Sequence, residues 1–260
     1  MLCSYHTHTY RCHHAKGEDE EYILRAIDAG MTELGFADHT PYPMDGYCSK
    51  FRMPLEDAAG YFESLTALRE KYRGRIKIYI GFEAEYYPRW FDGLLRFLEN
   101  FPCDYLIQGQ HFLGNEIDPK ERYAPKPCGE ESELARCVSQ TCEGMRTGVF
   151  SYLAHADIYN FDGDDETYRK HMVTLCRTAK ELNMPLEING LGIRDGRSYP
   201  VSRFWKLAGE CGCKAIYGCD AHSPDVVWDA ASYEIAKKLA QDNGVELLDR
   251  VALHPPVRKK

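Results

Sequence analysis

No apolar run in this sequence reaches the roughly 18 residues that a membrane-spanning helix needs, so no membrane role is expected. The chain passes straight into Leu2-Cys3-Ser4-Tyr5 without a signal-peptide pattern, and a cytoplasmic location is expected. Basic blocks are missing until the short tail Arg258-Lys259-Lys260, and 40 acidic against 32 basic residues give a formal charge of -8. That balance argues against nucleic acid as a partner bound over a wide surface, while leaving room for a local basic pocket that holds one phosphate. The 11 cysteines lack a framework: their number is odd, and the one close pair, Cys211-Gly212-Cys213, does not have zinc-knuckle spacing. Reduced thiols are the expectation. There is no G-x-G-x-x-G opening a helix, no P-loop and no internal repeat, which removes the common nucleotide-binding and solenoid readings.

What is present is an alternation of short β-prone runs and helical periodicities along 260 residues, with 44% hydrophobic content for a core. Strands are expected at Leu34–Ala37, Ile76–Phe82, Asp104–Ile107, Val149–Ala154, Pro185–Asn189 and Lys214–Cys219, after a first apolar segment that ends at Tyr5. Between them lie helices over about 18–29, 55–72, 90–98, 130–147, 166–183, 201–210 and 230–241. Such alternation implies one α/β domain, 1–260, with a parallel sheet and helical crossovers. The Pro- and Gly-rich loop 41–54 reads as a candidate substrate cover, and Arg194 and Arg197 fall in the loop after Asn189.

The β-prone runs share one feature: nearly every one ends in His, Asp or Glu. His6 and His8 close the first, with His14 six residues on; Asp38-His39, Glu83, His111, His155 and Asp220-x-His222 close later ones. In a strand, i and i+2 side chains share a face, so the HxH pair presents two imidazoles together. In a closed parallel barrel all of these ends meet at the C-terminal face, where active sites are built. Of the 10 histidines, His171 falls in a predicted helix and His254 in the tail, while His13 competes with His14 and pattern alone does not separate them.

Seven imidazoles with two carboxylates exceed one zinc site, which needs three or four protein ligands, so two or three divalent ions are expected, of zinc, manganese or iron type. Glu83 has two oxygens and can bridge two ions. Clustered ions favour a shared hydroxide, which suits hydrolysis of a phosphate ester.

This series of residues resembles the polymerase-and-histidinol-phosphatase family along nearly the whole chain. Gly81-Phe82-Glu83-Ala84-Glu85-Tyr86, Gln110-His111-Phe112, Ala154-His155-Ala156-Asp157 and Glu187-Ile188-Asn189 look closest to its histidinol-phosphatase branch. The resemblance implies a distorted (β/α)7 TIM-like barrel. It also implies a trinuclear centre: His6, His8, Glu83 and Asp220 on one ion, Glu83, His111 and His155 on a second, His14, His39 and His222 on a third. The expected activity is hydrolysis of a small-molecule phosphate monoester, foremost histidinol phosphate. Glu83 and Asp220 would be catalytic through the metal-bridging hydroxide, and Arg194, with Arg197 as second candidate, would bind substrate phosphate. Asp38, Asp157 and metal-bound water stay open as proton donors to the leaving group. Two rivals remain: another phosphate ester as substrate, and a metal-binding barrel without chemistry. Cys219 before Asp220 and Gln108-Gly109-Gln110 before His111 depart from the family's usual residues without removing a ligand.

Overall fold

Hydrophobic patterning gives the longer helices a buried face, and side-chain caps fix the starts of several of them. A computed structural model describes residues 2–256, so the Arg258-Lys259-Lys260 tail lies outside the described residues. The order is β1 (Cys3–Ser4), α1 (Asp19–Asp28), β2 (Glu33–His39), α2 (Ala58–Lys71), β3 (Lys77–Ala84), α3 (Phe91–Leu98), β4 (Tyr105–Gln108) and α4 (Glu131–Arg146). It continues with α5 (Asp165–Glu181), β5 (Leu186–Asn189), α6 (Gly190–Asp195), α7 (Ser202–Glu210), β6 (Lys214–Gly218), α8 (Ala230–Asp242) and β7 (Glu246–Leu248). A capping box between Glu18 and Glu21 starts α1. Asp164 and Asp229 cap α5 and α8 by accepting from Thr167 N and Ser232 N.

All strand pairing is parallel, in the orders β1-β2-β3-β4 and β5-β6-β7. β2 is buried along its whole length, as a parallel strand covered on both faces must be. The segment expected as a strand over Val149–Ala154 forms isolated bridges at Leu153 instead, to Gln108 on one side and Leu186 on the other. Its backbone still bonds in both directions: Ala154 N donates to Gln108 O at 2.8 Å, and Glu187 N donates to Leu153 O at 2.8 Å. This short segment therefore stitches the two sheets together. At the opposite seam Thr7 bridges Ala221, with His8 N donating to Ala221 O at 2.9 Å and Ala221 N to His6 O at 3.2 Å.

The sheet is curled. Tyr5, Ala37, Tyr105, Ile107, Tyr152, Ala154 and Ile216, from five separate strand segments, pack into one small interior cluster, while the larger core lies between sheet and helices. Tyr105 Oη spans this interior, 2.7 Å from Tyr5 O and 3.0 Å from Phe36 O. The expected loop after β5 is replaced in its first part by α6, because the Asn189 side chain accepts from Gly192 N at 2.8 Å and opens a helix at once. All 11 cysteines are free thiols, and among the described residues no helix is long and apolar enough to cross a membrane.

Candidate metal centre

Strand register brings the ligand types together. β2 and β3 pair His39 with Glu83, so two candidates from neighbouring strands stand side by side. The bridge at Thr7 holds His6 and His8 on either side of it, with their ring centroids 5.2 Å apart. His155 and Asp220 sit where the backbone leaves the ladder, at positive φ of 30° and 48°.

Glu83 lies at the middle. Its Oε2 is 3.6 Å from His6 Nε2, 3.6 Å from His8 Nε2 and 3.1 Å from His39 Nδ1. Its Oε1 is 2.7 Å from His155 Nε2 and 3.6 Å from His111 Nε2. Asp220 Oδ1 is 3.6, 3.2 and 3.3 Å from His6 Nε2, His8 Nε2 and His222 Nδ1. Two donors bound to one tetrahedral ion at 2.0–2.2 Å stand about 3.4 Å apart, so most of these separations are ligand-to-ligand spacings. His6 Nε2, His39 Nδ1, Glu83 Oε2 and Asp220 Oδ1 are buried without a hydrogen-bond partner among the described residues. Buried polar atoms are ordinarily satisfied, and divalent cations held between these groups would satisfy them. The residues fit metal ions.

Ligand atoms come within reach of common centres in the groups His6-His8-Glu83, His6-His155-Asp220, His39-Glu83-His111 and His14-His39-His222. A further group, His8-Cys12-His222, includes a cysteine that sequence spacing did not single out. His14 Nε2 stands 3.1 Å from His222 Nε2. His13 caps the short helix before it in a left-handed conformation, is exposed, and joins none of these groups.

The other nitrogen of most of these imidazoles is held in turn. His6 Nδ1 faces Glu187 at 2.9 Å, His8 Nδ1 faces Asp38 at 3.4 Å, His111 Nδ1 faces Glu85 at 2.8 Å, and His14 Nδ1 faces Cys12 O at 2.7 Å. A metal-binding imidazole is commonly fixed in tautomer and orientation by such a partner. Glu187, Glu85 and Asp38 thus hold the candidate ligand imidazoles from behind.

Charge in the centre is strongly coupled. Burial alone would raise the carboxyls of Glu83 and Asp220, yet the imidazoles around them, His111 and His6 foremost, hold both well below the usual carboxylate range. Burial opposes protonation of His6 and His8 too, but carboxylates, Glu187 for His6 and Asp220 for His8 leading, push both well above the ordinary histidine value. His39 is held well below it by burial and by His8, and His222 is lowered to about 3 by the same two causes.

The centre floors a cavity of about 720 Å³ whose walls include Lys50, Phe51, Phe112, Tyr123, Lys126 and Arg197. Lys50 and Phe51 belong to the 41–54 loop, which reaches the cavity mouth. Arg194 is not in this lining. Its Nη2 donates to Cys219 O at 2.8 Å and lies 3.2 Å from Asp220 O, so it braces the end of β6. Asp38 and Asp157 do not line the cavity either: Asp38 accepts from Thr9 and His39 N, and Asp157 from Val201 N at 2.6 Å. Desolvation raises Asp157 to about 7.

The PHP domain model matches residues 4–190. A probable histidinol-phosphatase of Deinococcus radiodurans is 31% identical over 87% of this chain and 88% of its own length. The histidinol-phosphatase of Bacillus subtilis is 28% identical over 84% and 92%. Among solved structures, histidinol phosphate phosphatase from Lactococcus lactis, complexed with zinc, L-histidinol and phosphate, shares the fold at a TM-score of 0.74 and 19% identity, covering 98% of this chain and 97% of that one. With strand-end ligands on a curled parallel sheet and a family match over most of its length, this chain belongs to the PHP domain family.

Proposed function

We propose that the protein is a metal-dependent phosphomonoesterase that hydrolyses histidinol phosphate to histidinol and phosphate. The observation that carries the reading is the set of buried donor atoms on His6, His39, Glu83 and Asp220 that have no hydrogen-bond partner among the described residues and are spaced as ligands, His39, Glu83 and Asp220 lining a cavity whose wall carries Lys50, Lys126 and Arg197. The histidinol-phosphatase relatives that match along most of their length support the substrate. Seating of the sheet as a closed, distorted (β/α)7 barrel over a single domain, 1–260, is supported by the hydrogen bonds at Leu153 and Thr7.

Two to three divalent ions would be held by His6, His8, His14, His39, Glu83, His111, His155, Asp220 and His222. Such ions supply Lewis acidity at the phosphoryl oxygens and a nucleophile near neutral pH. The chain's own residues do the rest. Glu83 and Asp220 place negative charge between the imidazoles and fix where cations collect. Arg197, Lys50 and Lys126 face the cavity and offset the charge of the phosphate. Arg194 acts at one remove, by holding the backbone from which Asp220 projects. Since Asp38 and Asp157 are committed elsewhere, the proton for the leaving oxygen comes from water or from a group in the cavity wall.

The test is phosphate release by the purified protein loaded with zinc, manganese or iron, on histidinol phosphate beside a phenyl phosphate and a phosphotyrosyl peptide. Selective turnover of histidinol phosphate supports the proposal. Metal uptake with turnover only of the aryl esters would reassign the substrate.

A further inference from the structure

Arg52 is a guanidinium with almost no exposed surface, on a loop rather than on a strand or helix. Its Nη2 meets Glu85 Oε2 at 2.5 Å and Glu116 Oε2 at 2.5 Å, its Nε donates to Glu116 Oε1 at 2.8 Å, and its Nη1 donates to Thr40 O at 3.0 Å. One side chain therefore joins three segments: the 41–54 loop at the cavity mouth, the segment carrying Glu116, and the end of β3. Ser49 Oγ and Tyr87 Oη donate to Glu116 as well, at 2.7 and 3.0 Å, which fastens the loop a second time.

The other oxygen of Glu85 continues the chain inward. Oε1 faces His111 Nδ1 at 2.8 Å, and His111 turns its Nε2 toward Glu83. The residue before Arg52 also touches the centre: Phe51 packs edge-on against His39, with ring centroids 5.4 Å apart. Loop and ligands are thus in contact twice. A guanidinium is suited to the task, since its planar fork can satisfy two carboxylates and a carbonyl at once, whereas a lysine ammonium cannot hold that geometry.

We infer that Arg52 is a positioning residue that couples the cavity-covering loop to metal retention, by holding Glu85 where it orients His111. The inference rests on the metal-centre part of the proposed function and not on its substrate. Closing of the loop and occupancy of the ions then stabilise each other, because coupling between two sites is reciprocal. Glu85 without Arg52 is a buried carboxylate free to turn from His111, and loss of such a supporting partner typically weakens metal binding 10–100-fold.

Two readouts test this: the rate at which a chelator strips metal from the loaded protein, and chymotrypsin cleavage at Tyr47 or Phe51 with and without metal. In the unaltered protein, stripping the metal should speed loop cleavage. Arg52→Met should lose metal about tenfold faster or more, and its loop should be cut at one rate whether metal is present or not. Glu85→Gln should speed metal loss with less effect on the loop. If Arg52→Met fails to fold, Arg52→Lys carries the test, with an intermediate acceleration of metal loss expected. Folded Arg52 variants that keep the original rate of metal loss, or a loop whose cleavage ignores metal in the unaltered protein, would overturn the coupling. A protein that takes up no metal at all would instead overturn the metal centre itself.

Discussion

Glu187 is a fully buried carboxylate whose two oxygens serve three partners: His6 Nδ1 at 2.9 Å, His155 N at 3.2 Å and Asn189 Nδ2 at 2.7 Å. Replacing it with alanine removes the group that fixes the His6 tautomer, so Glu187→Ala should weaken metal binding 10–100-fold in a competition titration against a chelator. Unchanged affinity would mean that His6 is held by packing alone. The same titration separates His13 from His14. His14→Ala should lower the number of ions bound per chain, as read by elemental analysis, whereas His13→Ala should leave it intact, because His14 stands with His39 and His222 while His13 joins none of the candidate ligand groups. At this scale the clustering of these His, Asp and Glu side chains was legible from sequence, since all but His14 lie at or just past the end of a β-prone run. Their supporting carboxylates were not, because Glu187 lies 181 positions from His6 and only the curl of the sheet brings the two together.

Two strand-end glycines are where element packing and chemistry meet. A Cβ on Gly109, just past β4, would lie 2.0 Å from Glu83 Oε1, and one on Gly218, at the end of β6, would lie 2.0 Å from Glu187 Oε2. Neither carboxylate has room to give way, since Glu83 and Glu187 are both fully packed. Gly109→Ala should therefore leave helical content by circular dichroism close to the original while metal binding falls sharply. Retention of full metal content would show that Glu83 can be displaced without loss. The Gln108-Gly109-Gln110 run, a departure from the family's usual residues in sequence, has this physical reason for its glycine. The elements themselves were largely readable from periodicity, and their helices start within a residue or so of the capping signals, apart from the helix expected from 55, where a short 3-10 turn at Leu55–Asp57 precedes α2. The exceptions are informative. Val149–Ala154 has strand composition but too short a run of pairing to form more than bridges, and α6 stands where a loop was expected because Asn189 caps it, a local hydrogen bond that periodicity does not carry.

For the whole molecule, the centre is a store of opposite charges that protons or metal ions can balance, and the sign of each shift sets when each does so. His6 and His8 sit above their ordinary value in the folded chain, so their contribution to stability is complete below about pH 6.5 and is lost as pH rises through the raised values. Glu83 and Asp220 sit below theirs, so their contribution is present above the ordinary carboxylate range and is lost as pH falls through the depressed values. Without metal, the protein should thus be most stable between these limits and should weaken toward alkaline pH, where buried carboxylates lose their protonated partners. Metal replaces those protons, because ligand imidazoles must be neutral to bind. The difference in melting temperature between metal-loaded and chelated protein should therefore widen from about pH 6 to about pH 9, and metal binding near pH 7 should release protons, measurable by calorimetry in buffers of different ionisation enthalpy. A gap that stays constant over that range, with no proton release, would mean that His6 and His8 are already neutral in the metal-free fold, and the electrostatic account of the centre would fail.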